Sequence, residues 1–280
     1  MADPSNIILS NFQTRPLLNN DSEVMPLSID LGRSMSQVKK TAKGWLFPDG
    51  QILTIRQTEK ITAEENGCFI FRENKLKKIE AFSEYTNRYY SLMPTSKAPT
   101  MLISGIPMHR IKDITPIEDT TRKLQAAGRP GGRILDTAMG LGYTAIKAAQ
   151  SAESVITIEF DPVVLSICRL NPWSKELFSN PRIIKIVGDT WDLADFFPNA
   201  YFNLILHDPP TFNLAGHLYS QTMYETFHRI LNSKGRMFHY IGNPDSKSGA
   251  SVTRGVVKRL QQVGFSVTLK PNAFGLLAIK

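Results

Sequence analysis

The chain has 280 residues, 42% hydrophobic and 21% charged, with 18 Gly, 17 Pro and 2 Cys. That composition supports a packed core and excludes wholesale disorder, and the length suits one large domain or a catalytic domain with a small companion. Cys68 and Cys168 stand far apart in the chain, which excludes a disulfide framework and a cysteine-based zinc spacing; the net charge of +8 raises nucleic acid as a partner without identifying one.

Residues 1–25 are polar and lack the basic and apolar regions of a signal peptide, so they are expected to form a flexible N-terminal tail. No run approaches the roughly 20 apolar residues of a membrane span, and a soluble, cytoplasmic protein with no membrane partner is expected. Residues 26–93 read as a small β-rich domain. Pro48-Asp49-Gly50 is a turn before Gln51–Ile55, and Asn66-Gly67 precedes Cys68–Phe71. Glu73-Asn74 then leads into Lys75–Ile79, whose Lys75, Lys77 and Lys78 fit either a wet strand face or an RNA contact. Residues 94–114 are broken by prolines and read as a connector; their Ser104–Arg110 stretch contains His109, a candidate substrate contact.

From residue 115 to 280 the pattern changes. Thr115-Pro116 opens a helix that runs to Ala127 and closes at Gly128. Apolar β-rich runs follow at 133–136, 154–159, 182–187, 201–206 and 236–240, separated by helical stretches at 143–150, 162–171, 215–231 and 252–263. The runs 265–269 and 275–279 make a terminal hairpin. Strand–helix alternation with near-continuous apolar strands implies a doubly wound, mostly parallel α/β sheet of seven strands, Rossmann-like, beside the N-terminal β domain.

Four acids fall at successive strand ends of that sheet. Asp136 closes the first strand and leads into Thr137, Ala138, Met139, Gly140, Leu141, Gly142, Tyr143 and Thr144, a glycine-containing loop that opens a helix. Glu159 ends the second strand, where a carboxylate can hold a ribose diol. Asp189, followed by Thr190, comes after the third, where a carboxylate can accept from an adenine amino group. Asp208 ends the fourth, in His207-Asp208-Pro209-Pro210-Thr211-Phe212. Ligands of open α/β sheets bind at these carboxyl ends. Four acids there exclude a phosphate-lined site and fit a ligand with a diol, an amine and a positive charge.

Together these motifs resemble class I S-adenosylmethionine-dependent methyltransferases. More narrowly, HDPPTF, AGHLYS, FHYIG and NPWS resemble a group of predicted methyltransferases best known from archaea, which brings no established substrate. The resemblance implies S-adenosylmethionine as cofactor and S-adenosylhomocysteine as product. Asp136, Ala138, Gly140 and Gly142 would line the methionine and sulfonium, Glu159 would take the ribose, and Phe160 and Asp189 the adenine. The first motif departs from the common form, with Ala138 where a glycine is usual.

Asp208, Pro209, Pro210 and Phe212 are the catalytic candidates. The Asp-Pro-Pro turn offers a carboxylate and a backbone carbonyl on a stiff frame, acceptors for an amine N–H whose lone pair faces the methyl group. It resembles the motif of amino methyltransferases acting on adenine, guanine or glutamine amides, although Thr211 intervenes before the aromatic residue. Phe212 fits stacking on a planar substrate and packing on the core equally. His109, His207, Tyr219, His239 and Tyr240 are the substrate-side candidates, each histidine serving as a base or as a packed residue. No metal is expected. The expected function is N-methylation of a planar amino group, with RNA favoured over a small amine or a protein. An aminopropyl- or aminobutyryl-type transferase on the same fold is the alternative, and the oligomeric state is open.

Overall fold

Short β-rich runs between turns build the first half of the chain, and long apolar strands between helices build the second. The computed structural model describes residues 6–243 and 246–280. It divides into two units: residues up to Ile117 together with Val163–Ser179, and Glu118–Pro162 together with Asn180–Lys280.

The first unit carries three small antiparallel sheets. Ile7–Leu9, Phe69–Arg72 and Lys75–Lys78 make one, and Val24–Leu27, Ser36–Thr41, Gly44–Leu46 and Ile52–Thr54 the second. The third joins Glu80–Ser83, Arg88–Met93, Thr100–Ile103 and Ile106–Pro107. Two helices missed in the sequence, Asn11–Leu18 and Ile55–Ala63, each start with a capping box, Ser10 with Gln13 and Thr54 with Gln57. Ile7, Leu9, Leu17, Trp45, Phe47, Leu53, Ile61 and Phe71 form the core between them.

The expected free tail is therefore corrected for residues 6–25. Ile7, Ile8 and Leu9 are at most 3% exposed and pair with Phe69–Phe71, since an apolar triplet gains more from burial than it loses in chain entropy. The expected connector likewise contributes two paired strands. Within this unit the Asn171–Ser174 turn docks on the loop at 31–33. Trp173 Nε1 donates to the Leu31 carbonyl at 3.0 Å, and the Arg33 guanidinium donates to the Pro172 carbonyl.

In the second unit the seven strands are β1 (Arg133–Asp136), β2 (Ser154–Glu159), β3 (Ile183–Val187), β4 (Phe202–His207), β5 (Leu231–Tyr240), β6 (Ser266–Lys270) and β7 (Gly275–Ile279). Their order across the sheet is β3-β2-β1-β4-β5-β7-β6. The first five are parallel, and β7 runs antiparallel to both neighbours. The order reverses between β1 and β4, and at such a point the loops leaving adjacent strands diverge and open a crevice.

Helix α1 (Pro116–Ala127) precedes β1, and α2 (Tyr143–Ala148) follows it. The single helix expected over 215–231 is instead Phe212–Ala215, a 3₁₀ turn at Gly216–Tyr219, and α3 (Gln221–Ile230). The break has a local cause: Ser220 is extended and its hydroxyl accepts from Met223 N, starting a new helix. Met223, Tyr224, Phe227 and Ile230 line one face of α3 and join Leu135, Phe202, Ile205, Met237 and Leu260 in the core. Among the described residues no helix is long and apolar enough to cross a membrane.

Candidate active site

The loop after β1 is tied to both neighbouring strands. Thr137 N donates to the Leu206 carbonyl of β4 at 3.0 Å, and Met139 N donates to the Ile158 carbonyl of β2 at 2.7 Å. Gly140 and Gly142 take φ of +51° and +75°, a region where a Cβ is costly, which is why glycine stands at both. The Glu159 carboxylate holds the loop from the side: Oε2 accepts from Gly140 N at 2.9 Å and Oε1 from Asp161 N at 3.0 Å. Burial pushes this carboxyl up to about 7 against those hydrogen bonds.

Asp136 is 1% exposed. Its Oδ2 accepts from Thr157 Oγ1 at 2.7 Å, while Oδ1 has no hydrogen-bond partner. Burial, joined by the nearby Asp208 and Glu159 carboxylates, outweighs the hydrogen bonds from Thr157 and the Ala138 backbone and pushes Asp136 up to about 7. A buried acceptor without a donor is unfavourable, so this oxygen marks a place where a ligand donor would be bound. Ala138 is half-buried beside it, Tyr143 is buried at the start of α2, and Thr144 is partly exposed.

Asp189 caps the helical turn Thr190–Leu193 by accepting from Trp191 N at 2.8 Å, and its Oδ2 lies 3.6 Å from His217 Nε2. Thr190 Oγ1 donates to the Thr137 carbonyl at 2.7 Å, which brings this turn to the β1 loop. Phe160 presents 45% of its surface.

The Asp208-Pro209-Pro210 turn is held from two sides. Tyr219, 3% exposed, donates its hydroxyl to the Pro210 carbonyl at 3.0 Å. Phe212, 45% exposed, meets the Tyr219 ring edge-on at 5.5 Å, so it packs and remains accessible at once. On the other side stands a residue the sequence reading passed over. Lys123 of α1 is 4% exposed; its Nζ lies 2.5 Å from Asp208 Oδ2, 3.0 Å from Asp119 Oδ2 and 4.5 Å from the centre of the Tyr240 ring. Burial alone would lower the lysine, but the carboxylates of Asp208 and Asp119 outweigh it and hold Lys123 charged, above the usual lysine range. Asp119 and Lys123 are four apart on a helix, a spacing that reads as an ordinary surface pair. Their burial was not legible without Asp208, 85 positions further on.

Two histidines are corrected. His207 is fully buried; its Nε2 donates to the Leu218 carbonyl at 3.0 Å and its Nδ1 accepts from Thr137 Oγ1 at 2.7 Å. With both nitrogens engaged and burial lowering it to about 3, His207 is a neutral structural residue rather than a substrate contact. His239 is also fully buried, pairs with the Tyr224 hydroxyl through Nε2 at 3.0 Å, and packs at a tilt with its ring centre 4.5 Å from that of His207. Continuous burial of the parallel strands draws these side chains under the sheet end. Tyr219 is likewise buried and acts on the turn. Tyr240, partly exposed, receives the Lys123 ammonium on its ring. His109 belongs to the first unit, where its Nδ1 lies 3.0 Å from Thr100 Oγ1.

No protein-family model matches the chain. The uncharacterised protein MJ1233 of Methanocaldococcus jannaschii is 41% identical over 276 residues, spanning 95% of this chain and 93% of that protein. Among solved structures, a spermidine synthase in complex with the transition-state analogue AdoDATO is similar over 75% of this chain and 74% of that one, with a TM-score of 0.56 at 16% identity. The spermidine synthase of Thermotoga maritima is similar over 73% of each chain, with a TM-score of 0.53 at 16% identity. At that identity the likeness is one of fold.

Proposed function

The chain belongs to the family of MJ1233, and we propose that it is an S-adenosylmethionine-dependent methyltransferase acting on an amino group of a planar acceptor, an RNA base above all. The observation that carries the proposal is the buried, unpartnered Oδ1 of Asp136 beside a positive-φ glycine loop, at the point where the strand order reverses. S-adenosylmethionine offers an ammonium, a sulfonium, a ribose diol and an adenine amine, and the donor set fits it. Asp136 with Thr137, Ala138, Gly140, Gly142, Tyr143 and Thr144 would hold the methionine portion, Glu159 the ribose, and Phe160, Asp189 and Thr190 the adenine. When bound, the cofactor supplies an electrophilic methyl carbon.

The chain's own residues do the positioning. Two prolines fix the backbone after Asp208, and the Tyr219 hydroxyl fixes the Pro210 carbonyl. Lys123 orients the Asp208 carboxylate. An acceptor N–H bonded to this turn would have its lone pair directed away from it, and the exposed Phe212 ring is available to the rest of a planar substrate.

A second reading, aminopropyl or aminobutyryl transfer, is favoured by one observation: likeness to a spermidine synthase over 75% of the chain is more than the second unit alone supplies. The protein incubated with fractionated extract from a strain lacking it, together with methyl-labelled S-adenosylmethionine or, in parallel, its decarboxylated form, tests both. Methyl label in the RNA fraction supports the proposal; an aminopropyl adduct formed from the decarboxylated donor, or an aminobutyryl adduct formed from S-adenosylmethionine, supports the second reading. No transfer to any fraction overturns both.

A further inference from the structure

We propose that Lys123 is a specificity-determining residue: its ammonium occupies the Asp208 carboxylate, so the acceptor site admits an uncharged amino or amide nitrogen and rejects alkylammonium and polyamine substrates. This deepens the reading above and rests on it. Two carboxylates and an aromatic face converge on one point, a complete recognition cage for a primary ammonium. Lys123 Nζ already fills that point, 2.5 Å from Asp208, 3.0 Å from Asp119 and 4.5 Å from the Tyr240 ring centre.

Lys123 is not free to leave. Its side chain is 5% exposed and that of Asp119 is 0% exposed, so swinging the ammonium out would take the counter-charge from a buried carboxylate. Asp208, with 26% of its side chain exposed, is the member of the cluster that a substrate can reach, and its Oδ2 is already taken by the lysine that it shares with Asp119. A second ammonium placed on the same carboxylate would lie about 4 Å from Nζ, where repulsion at the effective permittivity of a protein weakens binding about a thousandfold relative to the same carboxylates without Lys123. An uncharged N–H donor meets no such repulsion, because the turn still accepts hydrogen bonds. The spermidine-synthase-like fold is thus fitted with its own internal cation at the acceptor carboxylate.

The test uses the full chain and three probes: S-adenosylhomocysteine, spermidine and ethylammonium. Calorimetry first establishes S-adenosylhomocysteine binding by itself, so that failure of the cofactor reading is seen separately. Wild type saturated with S-adenosylhomocysteine is then titrated with spermidine, and no saturable heat is expected. Lys123→Ala vacates the cage, and ethylammonium chloride is expected to raise its melting temperature by about 3 °C over an equal concentration of sodium chloride, leaving wild type unmoved. Saturable spermidine binding by wild type overturns the proposal, as does a cooperatively folded Lys123→Ala that ethylammonium does not stabilise. If Lys123→Ala does not melt cooperatively, its refolding yield with ethylammonium against sodium chloride is the same comparison, and equal yields overturn the proposal.

Discussion

Replacing Lys123 by methionine keeps the aliphatic stem and removes one charge from a buried ionic cluster of the second unit. Asp208 can regain some water, with 26% of its side chain exposed, but Asp119, 0% exposed, cannot. Leaving a buried charge without its partner costs about 3–5 kcal/mol, so Lys123→Met is expected to lose that much stability. Adding Asp119→Asn removes the buried negative charge that has lost its lysine, and the double variant should regain at least about 2 kcal/mol, a coupling that independent sites would not give. Urea unfolding followed by circular dichroism measures both changes. A Lys123→Met variant within about 1 kcal/mol of wild type, or a double variant no more stable than the single, would refute the reasoning.

The remaining predictions concern the loop, the turn and the first unit. Asp136 and Glu159 are each pushed up to about 7 by burial, so the folded state holds more protons than the unfolded state from about pH 4 to 7. Stability should therefore fall as pH rises through that window and level off above it, and Asp136→Asn should shallow the fall; melting curves across pH read this, and a rise would contradict the sign. For the same reason S-adenosylhomocysteine, which carries an ammonium, should bind more tightly as pH rises from 6 to 8, and 5′-methylthioadenosine, which lacks the ammonium and keeps only the ribose contact to Glu159, should gain less by calorimetry. Tyr219→Phe removes the hydroxyl that holds the Pro210 carbonyl; about 1 kcal/mol of stability should go, with faster amide exchange at Thr211 and Phe212. Trp173→Phe loses the bond to the Leu31 carbonyl and should cost about 1 kcal/mol, seen in urea unfolding.

Much of the sheet was legible because parallel strands covered on both faces carry unbroken apolar runs; β1, β2 and β7 fall on Arg133–Asp136, Ser154–Glu159 and Gly275–Ile279 as read. The two N-terminal helices were hidden by composition. Asn11–Leu18 contains Pro16 and Ile55–Ala63 is mostly polar, although Ser10-x-x-Gln13 and Thr54-x-x-Gln57 were readable helix starts. At the site, acids at strand ends could be placed from the chain, because each follows its own strand. Lys123 could not, since its role depends on Asp208 from another element. His207 and His239 misled for a related reason: a histidine at a strand end looks the same in sequence whether it faces the crevice or the core. The β4–β5 pairing of His207 with His239 directs both inward.

In the proposed function, the crevice at the β1–β4 reversal would hold an S-adenosyl nucleoside through Asp136 and its glycine loop. Calorimetric titration of S-adenosylhomocysteine into wild type and Asp136→Asn tests it most directly. One-site binding by wild type is expected, weakened at least about tenfold in the variant, whose fold is retained. Absence of binding by wild type, or equal affinity in the two proteins, would contradict it.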